Sequence, residues 1–242
     1  ITPDSIETPP FLCYDTGMTQ QEERAMHHET VTAAEMKALE YTANENGLLY
    51  IQMMENAGRA AFAQLRRRLP GPVRLLVVAG KGNNGGDGFV MARVAAKLGW
   101  PVQLLLAEGE PKTPDAITNF ALLHDLPVEI LPDAAAAAQA DAVVDALYGT
   151  GFHGALRPAG RAACELMNQQ RANGAFVLAV DLPSGINADT GAVAEGAVQA
   201  DLTVTFHRAK PLHFAPESAG HCGEVVVADI GIDAYVASRK EE

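Results

Sequence analysis

The residues best placed to do chemistry begin in a glycine-rich loop, GKGNNGGDG, at positions 80–88. It follows an apolar run, VRLLVVA at 73–79, and leads into a helical pattern, GFVMARVAAKLG at 88–99. A Walker A loop is excluded, because Lys81 precedes the loop and no Ser or Thr follows it. Gly80-x-Gly82-x-x-Gly85 formally matches a dinucleotide-binding turn, and Glu108 lies at a suitable distance for a ribose contact. Asp87 does not suit bare phosphate: a fixed carboxylate there repels it unless a cation intervenes or the phosphates lie elsewhere. A helix-capping role is the bland alternative for Asp87, since acids favour that end of the macrodipole.

Other strand ends carry further oxygens. Asp145 lies near the end of the run DAVVDAL (141–147), and Asp181 closes AFVLAVD (175–181) and opens the turn DLPSG with Ser184. One carboxylate beside the neutral oxygens of Asn83, Asn84 and Ser184 makes a donor set for a hard cation of low charge density. On spacing alone the same residues are also explained as turn formers and a buried, hydrogen-bonded acid. The loop YGTGFHGALR (148–157) and the segment HRAKPLHFAP (207–216) follow other strands, and Arg157 and Lys210 there either balance phosphates or are solvated.

These residues need strands that end at one edge. Short apolar runs at 73–79, 101–107, 141–147, 175–181, 201–206 and 224–230 read as strands separated by helical segments. Two helices precede them, at 30–47, with Thr32 and Glu35 in a capping box, and at 48–69. Further helices are expected around 113–125 and 160–174, and a small exposed one in the Ala-rich stretch 134–140. Runs buried on both faces between helices predict an α/β, Rossmann-like three-layer fold: a mostly parallel sheet with helices on both faces. Residues 1–29, Pro-, Thr- and acid-rich over 1–25, read as an N-terminal extension and 30–242 as one domain.

The chain of 242 residues is 48% hydrophobic and 20% charged, with a net charge of −12. That charge argues against nucleic acid and anionic membrane as partners, so an anionic ligand needs local helix ends, backbone N–H groups or a cation. No apolar run is long enough to span a membrane and no signal peptide is visible. Ile1 at the start suggests processing or trimming. Three scattered cysteines, Cys13, Cys164 and Cys222, suit a reducing compartment, and a cytoplasmic location is expected.

MENAGRA (54–60), GKGNNGGDGFVMAR (80–93), VVDALYGTGFHGALR (143–157), AVDLPSGINADTG (179–191), ADLTVTFHRAKP (200–211) and GEVVVADIGI (223–232) occur in one order. Together they resemble the NAD(P)H-hydrate epimerases, also called the apolipoprotein A-I-binding protein family. The resemblance covers roughly residues 30–233. It implies an isomerase in nicotinamide cofactor repair, interconverting the R and S forms of hydrated NADH and NADPH (NADHX and NADPHX). It implies substrate contacts from Asn83, Asn84, Gly85, Gly86 and Asp87. Gly149, Thr150, Gly151, Phe152, His153, Gly154, Ala155 and Asp181 would make further contacts. It implies K+ on Asn84, Asp145 and Ser184, a homodimer, and a separate or fused NAD(P)HX dehydratase as pathway partner. The chain is expected to be a stand-alone epimerase or an excised domain. Position 153 departs from relatives that carry Lys, which puts the role of His153 in question.

Epimerisation at C6 requires the ring nitrogen to expel the hydroxyl and water to return on either face. Asp181 is expected to serve as acid/base near C6, with Asp145 tuning the site through the ion. Two rival readings are an NAD(P)-dependent oxidoreductase using the glycine loop and a non-catalytic binding or scaffold module.

Overall fold

The computed structural model describes residues 30–237. The extension expected over 1–29, with Cys13, lies outside the described residues. Seven strands form one sheet: β1 (Leu75–Ala79), β2 (Val102–Leu106), β3 (Val128–Leu131), β4 (Ala142–Ala146), β5 (Phe176–Val180), β6 (Leu202–Phe206) and β7 (Glu224–Ala228). Their order is β3-β2-β1-β4-β5-β6-β7, and every neighbouring pair is parallel. The helices are α1 (Ala33–Glu45), α2 (Tyr50–Arg68), α3 (Asn83–Lys97), α4 (Pro114–Ala121), α5 (Pro158–Ala172), α6 (Pro216–Cys222) and α7 (Asp233–Val236). This is the expected Rossmann-like α/β fold. No helix among the described residues is long and apolar enough to cross a membrane.

Period-2 alternation splits the buried strands between two apolar layers. Leu75, Val77 and Ala79 of β1, with Ala142, Val144 and Ala146 of β4, face the layer that holds α1, α2 and α3. Leu76 and Val78 of β1, with Val143 of β4, face the layer built on Ala163, Cys164 and Met167 of α5. Asp145 takes its place in this alternation on the α5 side. β3, which precedes it in the chain, was not among the expected strands. β3 is a four-residue edge strand whose central Glu129 and Ile130 are exposed, so it lacks a continuous apolar run. The Ala-rich stretch is a 3₁₀ turn over Ala134–Ala136 and not the expected helix. Asp133 caps that turn, and the side chains of Gln103 and Gln170 then hold the N–H groups of Ala138 and Ala140 outside a helix.

α1 begins with the expected capping box, in which Thr32 Oγ1 accepts from Glu35 N (3.2 Å) and Glu35 Oε2 from Thr32 N (2.8 Å). Thr30 bridges to Ala209, Val31 N donates to Ala209 O, and Ala33 N donates to Asp189 (2.7 Å). These bonds lay α1 beside the carboxyl ends of the strands.

The chain direction across the sheet reverses between β1 and β4, so the loops after these strands bound the crevice where such sheets bind ligands. The loops approach very closely. A Cβ on Gly80 would lie 1.9 Å from Leu147 O, a backbone atom that cannot swing aside. Gly80→Ala is therefore expected to lower unfolding free energy by about 1–3 kcal/mol or more, by overpacking. The matched Gly71→Ala, which has open space around it, should stay within about 0.5 kcal/mol. Urea denaturation midpoints of the two variants check this, and equal midpoints would contradict it.

Candidate active site

A cleft of about 640 Å³ opens at the carboxyl ends of the strands. It is walled by the start of α3, residues 113–115 at the start of α4, the 149–151 turn after β4, Asp181 after β5, Phe206 at the end of β6 with Lys210 beyond it, and Ile230 after β7. α1 and α2 close it from one side with Met36, Glu40, Tyr50 and Met53. α3 starts at Asn83 with Gly82 as N-cap and no side-chain cap bond, so its first-turn N–H groups lack a side-chain acceptor. Such an end attracts anions.

Asp181 is held with unusual firmness. It has φ 67°, the left-handed region that a non-glycine residue occupies at a cost. Its N–H donates to Val204 O (2.8 Å), and its carbonyl accepts from His213 Nε2 (3.0 Å). His213 Nδ1 accepts from Lys210 N (3.0 Å), which leaves the proton on Nε2. Burial lowers the His213 pKa to about 4, so the ring is neutral at neutral pH.

On the side chain, Asp181 Oδ1 accepts from Lys210 Nζ (2.6 Å) and Thr205 Oγ1 (2.9 Å). Lys210 also donates to Thr205 Oγ1 (2.9 Å) and Phe206 O (3.2 Å), and only 1% of its side chain is exposed. Oδ2 of Asp181 accepts no hydrogen bond from the described residues, and it is the oxygen left for a ligand. Burial alone would push this carboxyl up. The Lys210 charge and hydrogen bond, with His213 and Thr205, outweigh that and hold it below its ordinary value.

Asp87 and Glu40 line the same cleft with no comparable partner. Burial pushes the Asp87 carboxyl well above its ordinary value, and the charges of Asp181 and Glu40 add to the shift against Lys210. Glu40 is raised likewise, by burial and then by Asp181. Three carboxylates thus share one buried ammonium, and the one in contact with it is shifted toward its charged form while the other two are shifted the opposite way. Asp87 lies one turn inside α3 and caps nothing, which removes the capping alternative.

Asp145 is fully buried beneath the loops. Ser184 N (2.7 Å), Ser184 Oγ (2.6 Å) and Leu147 N (3.3 Å) donate to it, and Tyr148 N donates to Ser184 Oγ (2.9 Å). Burial raises its pKa to about 6 against those hydrogen bonds. No cationic side chain pairs with it among the described residues. Asn84 Nδ2 is a buried amide atom without a partner, and the Asn84 side chain packs against Gly149. No cluster of three or more His, Cys, Asp or Glu able to hold a metal occurs among the described residues. Asp145 and Ser184 offer hard oxygens of a kind that suits a monovalent cation better than a transition metal, whereas the unpartnered atom of Asn84 is an amide nitrogen, which donates and does not ligate.

Of the residues singled out from sequence, Asn83, Asn84, Asp87, Gly149, Thr150, Gly151, His153 and Asp181 line this cleft. Phe152 and Ala155 line an adjoining one. Gly85, Gly86 and Gly154 line neither. Gly85 and Gly86 instead permit close packing, since a Cβ would meet Gly80 O at 2.0 Å and Met54 Sδ at 2.4 Å. Asp145 and Ser184 also line neither cleft, being below the surface. His153 is exposed, and its Nδ1 accepts from Asn187 Nδ2 (2.8 Å). Lys210 is settled as buried and paired. Glu40, Thr205 and His213 were not anticipated. Two threonines in the otherwise apolar run LTVTF were the available signal for Thr205.

The family model described as YjeF-related protein N-terminus matches residues 50–212. The NAD(P)H-hydrate epimerase of Pirellula staleyi is 41% identical over 196 residues, 77% of this chain and 85% of that protein. That of Limosilactobacillus fermentum is 37% identical over 211 residues, covering 84% and 98%. The bifunctional NAD(P)H-hydrate repair enzyme Nnr of Pyrobaculum aerophilum is 40% identical over 214 residues; the match is 84% of this chain but 42% of the relative. The chain thus spans about two fifths of the bifunctional relatives and most of the monofunctional ones. The crystal structure of a yeast protein, YNL200c, shares the fold with TM-score 0.64 at 20% identity, over 83% of this chain and 88% of that one. By these matches, the chain belongs to the YjeF-related protein N-terminus family, the family of the NAD(P)H-hydrate epimerases.

Proposed function

We propose that this protein epimerises the R and S forms of hydrated NADH and NADPH, as its relatives' names describe. The observation that carries the reading is the pair of unlike carboxylates in one cleft, Asp181 bonded to Lys210 and Asp87 with no ion-pair partner among the described residues and shifted toward its neutral form. The relatives named as bifunctional repair enzymes support a place in cofactor repair, with dehydration of the hydrate as the partner reaction.

Asp87 and Asp181 divide the acid/base role expected of Asp181, with Asp145 still tuning the site through the ion. Asp87 gives its proton to the C6 hydroxyl as the ring nitrogen's lone pair expels it, so the C–O bond breaks and water leaves. The unshared Oδ2 of Asp181 faces the iminium-like cation that forms. Water then adds to either face of C6 and returns a proton to Asp87. The first turn of α3 and the 149–151 loop receive the phosphates. Asn84, Asp145 and Ser184 would hold K+, whose charge would offset Asp145 and steady the two loops.

Asp181→Asn should lower kcat for R-to-S conversion about 100-fold or more, read by chromatography of the epimers and corrected for spontaneous conversion. A folded variant with undiminished turnover removes Asp181 from the chemistry.

The rate should also depend on pH with a definite sign. Asp87 is the acid form below its raised pKa, so kcat falls as pH rises through that value, above the ordinary carboxylate range. Asp181, Glu40 and Lys210 are the charged groups acting on it, and Lys37 and Asp115 also line the cleft. At the acid end activity falls once pH drops through the depressed pKa of Asp181. Asp87→Asn should abolish the alkaline limb. A limb that persists in that variant would assign it to another group.

Exchange of K+ for tetramethylammonium at constant ionic strength should lower Tm. Saturation with K+ at about 100 times its Kd should add about 2.7 kcal/mol. Asn84→Ala should weaken that response, and equal Tm in both salts would rule the ion out.

A further inference from the structure

A second cleft, of about 490 Å³, adjoins the first on the far side of the α3 N-terminus. Asn83, Asn84, Thr113 and the 149–151 turn belong to both walls. Two buried polar atoms on this shared wall, Asn84 Nδ2 and Thr113 Oγ1, have no hydrogen-bond partner. The two clefts differ in character. The first holds Glu40, Asp87 and Asp181, and its buried cation is committed to Asp181. Lys81 and Arg157 line the second, and its one acid, Glu108, is already engaged: Tyr148 Oη donates to Oε1 (2.8 Å), and Lys81 Nζ lies 3.5 Å from Oε2. Arg157 makes no ion pair among the described residues and is exposed. Tyr148 and Phe152, with ring centroids 5.2 Å apart and planes inclined 30°, form an aromatic wall. Gly160 lets the phenol lie close to α5, since a Cβ there would meet Tyr148 Oη at 2.1 Å.

A dinucleotide has two nucleoside ends joined by a pyrophosphate, and this layout offers two clefts joined across a helix N-terminus. We propose that the second cleft holds the adenosine half of the hydrate against Tyr148 and Phe152, and that Lys81 and Arg157 read its 2′-phosphate, favouring NADPHX over NADHX. The proposal rests on the epimerase reading and adds to it a substrate polarity and two specificity-determining residues. Neutralisation of Glu108 by Lys81 and Tyr148 is what makes a 2′-phosphate acceptable there. An acid free at that position would repel it.

The test compares three hydrates in the wild-type chain and in Lys81→Met, Arg157→Met and the double variant: NADPHX, NADHX and the hydrate of reduced nicotinamide mononucleotide, which lacks the adenosine half. The double variant should lower the ratio of kcat/KM for NADPHX over NADHX by about 10-fold or more, since charge-assisted contacts to phosphate are lost. The mononucleotide hydrate should be turned over alike by wild type and variants. An unchanged ratio, or an equal loss with the mononucleotide, overturns the assignment while leaving the epimerase reading intact. Failure of the wild type on all three hydrates would instead overturn that reading. The charge-conserving Lys81→Arg should keep the ratio, and if it falls as far as in Lys81→Met, the effect comes from packing and the proposal fails.

Discussion

The contact between Lys210 Nζ and Asp181 Oδ1, buried at the carboxyl ends of β5 and β6, decides the electrostatics of everything above it. Removing one member of such a buried pair costs about 3–5 kcal/mol, because it strands the other charge. Here the geometry multiplies the partners. Thr205 links both charges, Phe206 O accepts a further ammonium proton, and His213 fixes both the Lys210 amide and the Asp181 carbonyl. The bonds also hold Asp181 in its left-handed conformation. With the only fully buried ammonium among the described residues spent on Asp181, Asp87 and Glu40 face that carboxylate with nothing comparable in return. Two acids of the same chemistry are thereby shifted in opposite directions in one cleft.

The sheet supplies the frame for that division. Reversal of strand order between β1 and β4 opens the crevice, and the contact of Gly80 with Leu147 keeps its floor narrow. Strand periodicity then separates two kinds of acid. Asp145 points into the α5 layer and organises the Ser184 turn from below, while Asp181, one residue beyond β5, reaches the cleft. The carboxylate proposed to hold the ion is thus buried beneath the loops, and the one proposed to react lines the cleft.

Much of this was legible in the sequence for physical reasons. Continuous buried runs such as LLVVA and LTVTF announce parallel strands, and polar residues at their ends announce the crevice. What was hidden depends on tertiary context. β3 is short, exposed and edge-bound, so neither run length nor alternation reveals it. The Ala-rich stretch favours a helix by propensity but is pulled straight by bonds from Gln103 and Gln170, distant in sequence. Lys210 looks like a solvated lysine in sequence, because its burial depends on Asp181 and on Thr205 and Phe206 of β6. Glu40 lies on a helix whose position over the cleft depends on long-range bonds from Val31 and Ala33. Local pattern finds the elements and the loop chemistry. It does not find which charges meet.

The central claim is therefore about proton ownership, and carbon-13 NMR titration of the side-chain carboxyls tests it most directly. The account predicts that Asp181 stays ionised below the ordinary carboxylate range while Asp87 titrates above it, and that Lys210→Met moves Asp181 upward. Titration of Asp87 at or below Asp181 in the wild-type protein would contradict it.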